Sequence, residues 1–140
     1  MDEPFVLRSD EGGVVRLTLN RPKKFNPLST EMLMALQQEF DDIAQDESAR
    51  VVVLGATGKA FCAGHDLREM RETTTQDFYT ELFDRCSRMM MSIVRLPVPV
   101  IARVQGIATA AGCQLVANCD LAVSAETARF ATSGIRYGLF

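Results

Sequence analysis

Two segments rich in small residues each follow an apolar run, and both could present backbone N–H groups to a ligand. Residues 61–67 follow the run 51–54 and a glycine-bearing turn at 55–58, and residues 106–115 follow the run 98–104. Such runs predict buried strands, and the Gly and Ala residues after them predict tight turns that a ligand can approach closely. The pattern therefore predicts two strand-to-loop sites that act through their backbone.

The chemistry open to such loops is the stabilisation of a negatively charged oxygen. Ala110 and Ala111 precede a short predicted helix over 112–117, whose first N–H groups have no partner within the helix. If the N–H groups of His65 and Ala111 converge, they form a two-donor pocket for an oxygen that gains charge during a reaction. The alternative is that both segments are only tight turns where helices pack on strands.

The elements around these loops alternate between strands and helices, which predicts the α/β class. Strands are expected at 14–19, 50–54, 98–102 and 121–123, with a short fifth strand at 128–131. Residues 29–45 predict an amphipathic helix with Ser29 as its N-cap and an apolar face made by Leu33, Leu36, Phe40 and Ile43.

A second amphipathic helix is expected after a polar stretch at 68–75, which is interpreted as a loop or a helix start and could serve as a flexible lid. The helix should end at Leu96, because Pro97 disfavours helical backbone in the residue before it. Its apolar stripe consists of Phe78, Leu82, Cys86, Met89 and Ile93.

Composition limits the class of partner. The chain has 140 residues, 47% of them hydrophobic, which predicts one globular domain over 1–140. A net charge of -3 gives no reason to expect nucleic acid. The one tight basic cluster, residues 21–24, predicts at most a small polyanionic partner.

Location and metal binding are predicted from what the sequence lacks. Residues 1–4 show no signal-peptide pattern and no apolar run is long enough to span a membrane, so a cytoplasmic location is expected. The single histidine and the cysteine spacings match no metal site or disulfide framework. Buried free thiols are expected at Cys62, Cys86, Cys113 and Cys119.

Three familiar motifs are absent. Residues 55–60 lack the spacing and the hydroxyl of a phosphate-binding P-loop, and no G-x-G-x-x-G opens a helix after the first predicted strand. No G-x-S-x-G sequence marks a serine nucleophile. The two backbone loops remain the main candidates for chemistry.

Several motifs, taken in order, resemble the crotonase (enoyl-CoA hydratase/isomerase) superfamily. The resemblance runs from about Val14 to Leu139. Its motifs are Asn-Arg-Pro-Lys-Lys-Phe-Asn at 20–26, Lys-Ala-Phe-Cys-Ala-Gly-His-Asp-Leu at 59–67, the segment 97–106, Gly-Cys-Gln-Leu at 112–115 and Cys-Asp-Leu at 119–121.

The resemblance implies a spiral of repeated ββα units that binds acyl-coenzyme A thioesters. It implies an oxyanion hole formed by the backbone N–H groups of His65 and Ala111, and no cofactor besides the coenzyme A of the substrate. It also implies trimers or hexamers of the full-length protein, and a chain that continues past Phe140. The residues implied to flank coenzyme A are Lys23, Lys24, Phe25, Ala63, Asp66 and Leu67.

The sequence departs from the family at the two glutamates that hydratases use to handle water and its proton. The corresponding residues are Gln114 and Gly134, and neither titrates, so hydration by the usual route is not expected. Gln114 could at most orient a water. His65 follows the loop glycine as in methylmalonyl-CoA decarboxylase-like members, so decarboxylation is one alternative. An acyl-CoA-binding protein without hydratase activity is the other.

Other polar residues near these motifs are interpreted as structural. Asp66 and Glu69 are expected to cap the segment after the first loop, and Asp120 to bind backbone after the short helix. Tyr137 and Arg136 could face the acyl pocket, but the favoured interpretation is packing for Tyr137 and a surface or interface contact for Arg136.

Overall fold

A computed structural model describes residues 2–138, so the resemblance noted up to Leu139 ends just outside them. The strands are β1 (Val6–Glu11), β2 (Val14–Leu19), β3 (Val51–Ala56), β4 (Ala60–Cys62), β5 (Val100–Val104), β6 (Ile107–Thr109), β7 (Leu121–Ser124) and β8 (Arg129–Ala131). The α-helices are α1 (Thr30–Ala44), α2 (Leu67–Glu72), α3 (Gln76–Arg95) and α4 (Ala111–Ala117), with 3₁₀ turns at Pro22–Lys24 and Ser133–Tyr137.

The strands form two sheets that grow side by side along the chain. The larger has the order β1-β2-β3-β5-β7 and the smaller the order β4-β6-β8, and every pair except β1 with β2 is parallel. From β3 onward, each repeat adds its first strand to the larger sheet and its second to the smaller. This arrangement confirms the predicted α/β spiral of repeated ββα units.

The two long helices follow the predicted patterns. The Ser29 hydroxyl caps α1 by accepting a hydrogen bond from the Met32 N–H at 3.2 Å. The four residues predicted for the apolar face of α1 are all buried. Helix α3 buries Leu82, Cys86, Met89 and Ile93 and ends at Arg95, directly before the Leu96-Pro97 pair. Both predictions are confirmed.

Three short or polar elements differ from the prediction. Strand β1 was missed because only Val6 of its six residues is buried. Strands β4 and β6 have three residues each, too few to show an alternating pattern. The stretch at 68–75, interpreted as a loop or a helix start, begins within helix α2. The Asp66 carboxylate caps that helix by accepting from the Arg68 and Glu69 N–H groups at 3.0 and 3.3 Å.

The structure tests two further expectations, one about burial of the cysteine thiols and one about membrane-spanning helices. All four thiols are free, but only Cys62 and Cys86 are buried, so the expected burial is wrong for the half-buried Cys113 and Cys119. Among residues 2–138, no helix is both long enough and apolar enough to cross a membrane.

Candidate functional site

A cavity of about 600 Å³ lies where the first loop, helix α3, helix α4 and the last 3₁₀ turn meet. It brings together the predicted residues His65, Ala111, Gln114 and Gly134, which are far apart in sequence. Helix α4 turns one face to it. The lining residues are Ala63, His65, Leu67, Phe83, Cys86, Ser87, Ala110, Ala111, Cys113, Gln114, Ala117, Thr132, Ser133, Gly134 and Tyr137.

The N–H of His65 is oriented by the peptide unit it belongs to. The carbonyl of Gly64 accepts a hydrogen bond from the Leu28 N–H at 2.7 Å. Because the C=O and N–H of a trans peptide point in opposite directions, the His65 N–H points away from Leu28. Within the described residues this N–H has no hydrogen-bond acceptor, so it is free to donate to a ligand.

The N–H of Ala111 is oriented by an unusual backbone conformation. Ala110 has φ 53° and ψ -125°, a region that residues with a side chain rarely occupy. Its carbonyl turns into α4 and accepts from the Cys113 and Gln114 N–H groups at 3.0 and 3.1 Å. The Ala111 N–H on the same peptide therefore points out of the helix end, and in the described part of the chain it also lacks an acceptor.

Two glycines allow the loops to adjoin. A Cβ placed on Gly64, where φ is +87°, would lie 3.1 Å from the Ala111 nitrogen. A Cβ placed on Gly112 would lie 2.1 Å from the Cys62 carbonyl oxygen, a distance that no packed structure tolerates. The start of α4 thus packs directly on the end of β4, which brings the His65 and Ala111 backbones to the same cavity.

The His65 imidazole is the only histidine ring in the chain, and it sits against α3. Its ring meets Phe83 edge to face, with centroids 5.1 Å apart, and its buried Nδ1 has no hydrogen-bond partner in the part of the chain that the structure describes. Burial lowers the pKa of His65 below its usual value, which favours the neutral imidazole. A neutral ring can donate or accept a hydrogen bond without placing a charge in the cavity.

The other cavity groups are uncharged. Burial raises the pKa of the Cys86 thiol to about 11, so it stays protonated at neutral pH. Gln114 lies on the cavity face of α4, and the Ser133 hydroxyl is paired with that of Thr109 at 2.6 Å. No Asp, Glu, Lys or Arg is among the described lining residues. The cavity therefore suits an apolar or weakly polar ligand group.

The residues implied to flank coenzyme A divide into two groups. Ala63 and Leu67 line the cavity, whereas Lys23, Lys24 and Phe25 lie outside it on an exposed 3₁₀ turn. The two groups adjoin, because the Ala63 N–H donates to the Phe25 carbonyl at 3.0 Å. Asp66, the sixth residue, lies outside the cavity and uses its carboxylate to cap α2. Binding of coenzyme A by these residues stays a prediction.

Some of the residues interpreted as structural have the predicted role, and others have a different one. Glu69 caps a different helix from the one expected, because its carboxylate accepts from the N–H and hydroxyl of Thr30 at the start of α1. Asp120 is structural, and its carboxylate accepts from the Val100 N–H at 2.7 Å. The favoured packing role is wrong for Tyr137, which is 67% exposed, and the alternative that it faces the cavity is confirmed.

Sequence reasoning missed part of the lining. Phe83 and Ser87 each stand one position after a residue of the predicted apolar stripe of α3, and Cys86 is in the stripe itself. Their i, i+3, i+4 spacing indicates a shared helix face, but not that the face borders a cavity. Cys113, which is next to Gln114, also lines the cavity, but the sequence predicts only that its thiol is buried.

Solved structures resemble this fold over nearly its whole length. An enoyl-CoA hydratase from Mycobacterium smegmatis is 63% identical, has a TM-score of 0.97 and matches 99% of this chain with 54% of its own. Human enoyl coenzyme A hydratase domain-containing protein 3 is 44% identical, with a TM-score of 0.93 and the same coverage. The chain thus spans about half the length of these relatives.

Curated relatives contradict the expected cytoplasmic location. Enoyl-CoA hydratase domain-containing protein 3 of Xenopus laevis is 44% identical over 137 residues, which is 98% of this chain and 47% of that protein, and it is named as mitochondrial. The fish and human proteins of that name are also called mitochondrial. The expectation was wrong because it treated the start of this sequence as informative about targeting.

A family model gives the same result as these individual relatives. The model described as Enoyl-CoA hydratase/isomerase matches residues 9–140, which include both loops and every predicted site residue. The geometry of the two loops, the ββα spiral and the match agree, and the chain belongs to the enoyl-CoA hydratase/isomerase family.

Proposed function

We propose that the chain binds the thioester carbonyl of an acyl-CoA between the N–H groups of His65 and Ala111 and stabilises the enolate that forms from it. Preorganised N–H donors act best where negative charge develops during the reaction and water is excluded. The observation that carries the proposal is that both N–H groups lack an acceptor among residues 2–138 and lie on adjoining loops at one cavity.

The acyl group would occupy the cavity of about 600 Å³, within the usual range of small-molecule sites. Its uncharged lining favours an apolar acyl chain, with Gln114 and Ser133 as hydrogen-bonding groups. The nucleotide end would lie towards Lys23 and Lys24, where ammonium groups can meet phosphates. The Ala63–Phe25 hydrogen bond joins these two parts of the proposed site.

The geometry supports enolate stabilisation better than hydration. Addition of water across a double bond requires a group that takes a proton from water and one that gives a proton to carbon. Gln114 and Gly134, at the positions of the family's glutamates, cannot do so, and no described carboxylate lines the cavity. Gln114 is proposed to orient a water or a polar acyl substituent by hydrogen bonding.

Decarboxylation of a malonyl-type thioester is the second candidate, because the neutral His65 imidazole lies at the cavity. In that reaction the bond between Cα and the carboxylate breaks and CO₂ leaves. The electron pair of the broken bond stays on the thioester and forms the enolate that the two N–H groups hold. A proton added at Cα completes the reaction. Burial favours the neutral imidazole, and the uncharged lining holds no carboxylate that would repel the substrate.

Calorimetry on the full-length protein with crotonyl-CoA and malonyl-CoA tests the proposal. We expect at least one to bind and to protect Cys113 from alkylation, because that half-buried thiol lines the acyl cavity. Cys119 is the control, since it is half-buried but does not line the cavity. Absence of binding by both thioesters would refute the proposal. Binding without turnover would favour a binding protein, and loss of CO₂ from malonyl-CoA would favour the second candidate.

A further inference from the structure

Asn26 occupies a backbone conformation that needs support from its surroundings. Its φ is 50°, and that of Phe25 before it is 64°, so two consecutive residues with side chains are in the left-handed region. Asn tolerates this region better than most residues, but a pair of such residues persists only where the surrounding structure holds it. Phe25 is 52% exposed and Asn26 is fully buried. The support therefore comes through Asn26.

The Asn26 amide uses both of its polar atoms. Its Oδ1 accepts from the Arg21 N–H at 2.7 Å, which closes the turn that carries Lys23 and Lys24. Its Nδ2 donates to the carbonyls of Thr57 and Ala60 at 2.8 and 3.0 Å. Thr57 lies in the connection between β3 and β4, and Ala60 is the first residue of β4. One buried side chain thus joins the basic turn to the strand that leads into the first loop.

The backbone on either side of Asn26 holds that loop as well. The Phe25 carbonyl accepts from the Ala63 N–H at 3.0 Å, and the Leu28 N–H donates to the Gly64 carbonyl at 2.7 Å. The second of these bonds orients the peptide unit that carries the His65 N–H. Asn26 lies between the two bonds in sequence, so any change in its conformation is transmitted to both.

We propose that Asn26 is a positioning residue for the His65 N–H, joining the turn at 21–25 to the loop at 63–65 as one rigid unit. The inference rests on the proposed function, because it assigns Asn26 to the geometry of that same oxyanion hole. Asn26 itself does not line the cavity. It acts on the thioester only through the direction of the His65 N–H.

The test uses two variants of Asn26 and one control in the full-length protein. Asn26→Gly keeps the left-handed backbone and removes all three side-chain hydrogen bonds. Asn26→Asp, held neutral by burial, keeps the acceptor and one donor, and so serves as the conservative variant. The control is Asn20→Asp, which alters another buried amide. Its Nδ2 donates to the Pro4 carbonyl at 3.2 Å and its Oδ1 accepts from the Thr57 hydroxyl at 3.4 Å, so it reaches the Thr57 side chain but makes no hydrogen bond to Asn26 or to the loop at 63–65.

The main readout is the infrared stretch of a ¹³C-labelled thioester carbonyl in bound acyl-CoA, which moves to lower frequency when N–H groups polarise the carbonyl. We expect the shift to be largest in the unmodified protein and in Asn20→Asp, smaller in Asn26→Asp and smallest in Asn26→Gly. If the protein turns over the thioester, kcat should fall about 100-fold in Asn26→Gly with KM little changed, as for a displacement of about 1 Å at a reacting group. A merely structural role would lower thermal stability without this order of carbonyl shifts.

The outcomes separate the inference from the proposed function. If the unmodified protein binds acyl-CoA with a shifted carbonyl and folded Asn26 variants show the full shift, the inference is overturned and the function stands. If the unmodified protein binds no acyl-CoA, the function fails. If the unmodified protein binds acyl-CoA but shows no carbonyl shift, the oxyanion hole fails while binding stands.

Hydrogen exchange on the unmodified protein provides a test that does not depend on the variants folding. The N–H groups of Arg21, Leu28 and Ala63 should exchange with one common free energy of opening, because each is held by the unit around Asn26. A common value supports the inference. Independent opening of Arg21 and Ala63 would overturn it.

Discussion

The two loops at the cavity present equivalent N–H groups but hold them in different ways. The loop at 63–65 is held by hydrogen bonds from a separate segment, through Leu28 and Phe25. The loop at 109–112 also receives one such bond, since the Ala110 N–H donates to the Ala131 carbonyl at 2.8 Å, but it adds the unusual φ of 53° at Ala110 and the packing of the start of α4 on β4. The first donor therefore depends on hydrogen bonds from another segment, and the second depends also on backbone strain and close packing.

The largest effect should come from removing the close packing of the second loop. Gly112→Ala puts a Cβ 2.1 Å from a backbone oxygen that no rotamer change can move, so we expect a loss of about 3 kcal/mol or more in the free energy of unfolding. Gly12→Ala is the control, because Gly12 has φ +58° and nothing within 4 Å of the added Cβ. It should lose only about 1 kcal/mol. Equal losses in urea unfolding would contradict the packing argument.

The junction between the loops should respond more in function than in stability. Gly64→Ala combines φ +87° with a Cβ 3.1 Å from the Ala111 nitrogen, which pushes the two donors apart. We expect a stability loss of about 1–2 kcal/mol, and kcat lower by about 100-fold for any acyl-CoA turnover found. Gly12→Ala should leave kcat unchanged. Unchanged kcat in a folded Gly64→Ala protein would show that the donors do not act together.

These glycines mark the limit of what the sequence predicts. The pattern of small residues indicates two backbone loops, and the helical stripes of α1 and α3 predict the elements beside them. The strained φ of Ala110 is invisible in sequence, because alanine has no preference for that region. Helix α2 has no buried residue, so it lacks an apolar stripe and is fixed instead by the Asp66 cap and by the contact of Glu69 with Thr30.

The family resemblance was enough to predict which residues meet at the cavity. It was not enough to predict the contacts of the supporting side chains, because these depend on tertiary packing. His65, Ala111 and Gln114 meet at one cavity as the resemblance implies. Asp66 and Glu69 could be expected to cap the N-terminus of a helix. Which helix Glu69 caps depends on how α1 and α2 pack against each other. Asn26 is in a motif of the sequence, yet only the structure relates its amide to Thr57 and Ala60.

The strain in the second loop predicts a substitution that stabilises the fold. Ala110→Gly removes the cost of holding a side chain at φ 53°, roughly 1–3 kcal/mol, against roughly 0.5–1 kcal/mol of added chain entropy. We expect a gain of about 1 kcal/mol. Ala35→Gly within α1 is the matched control and should lose about 1 kcal/mol. A comparable loss in both variants on urea unfolding would show that Ala110 is not strained.

The smallest effect should be the pH dependence that His65 adds to stability. Burial lowers its pKa in the folded state, so the unfolded chain binds more protons between the folded pKa and about 6.5. Stability should therefore fall as pH drops below about 6.5, by at most about 1.4 kcal/mol per pH unit. His65→Gln should remove this slope, since the chain has one histidine. A slope that persists in the variant would assign it to another group.

The most direct test of the account follows the two donors themselves. In ¹H–¹⁵N NMR spectra of the full-length protein, acyl-CoA should move the amide protons of His65 and Ala111 downfield, because both form new hydrogen bonds to the thioester oxygen. A thioether analogue of the same acyl-CoA lacks that oxygen, so it should leave the amide proton resonances of His65 and Ala111 unshifted. It should still shift resonances of other residues that line the cavity. If the thioester binds and neither amide proton moves, the oxyanion hole assigned to His65 and Ala111 is wrong.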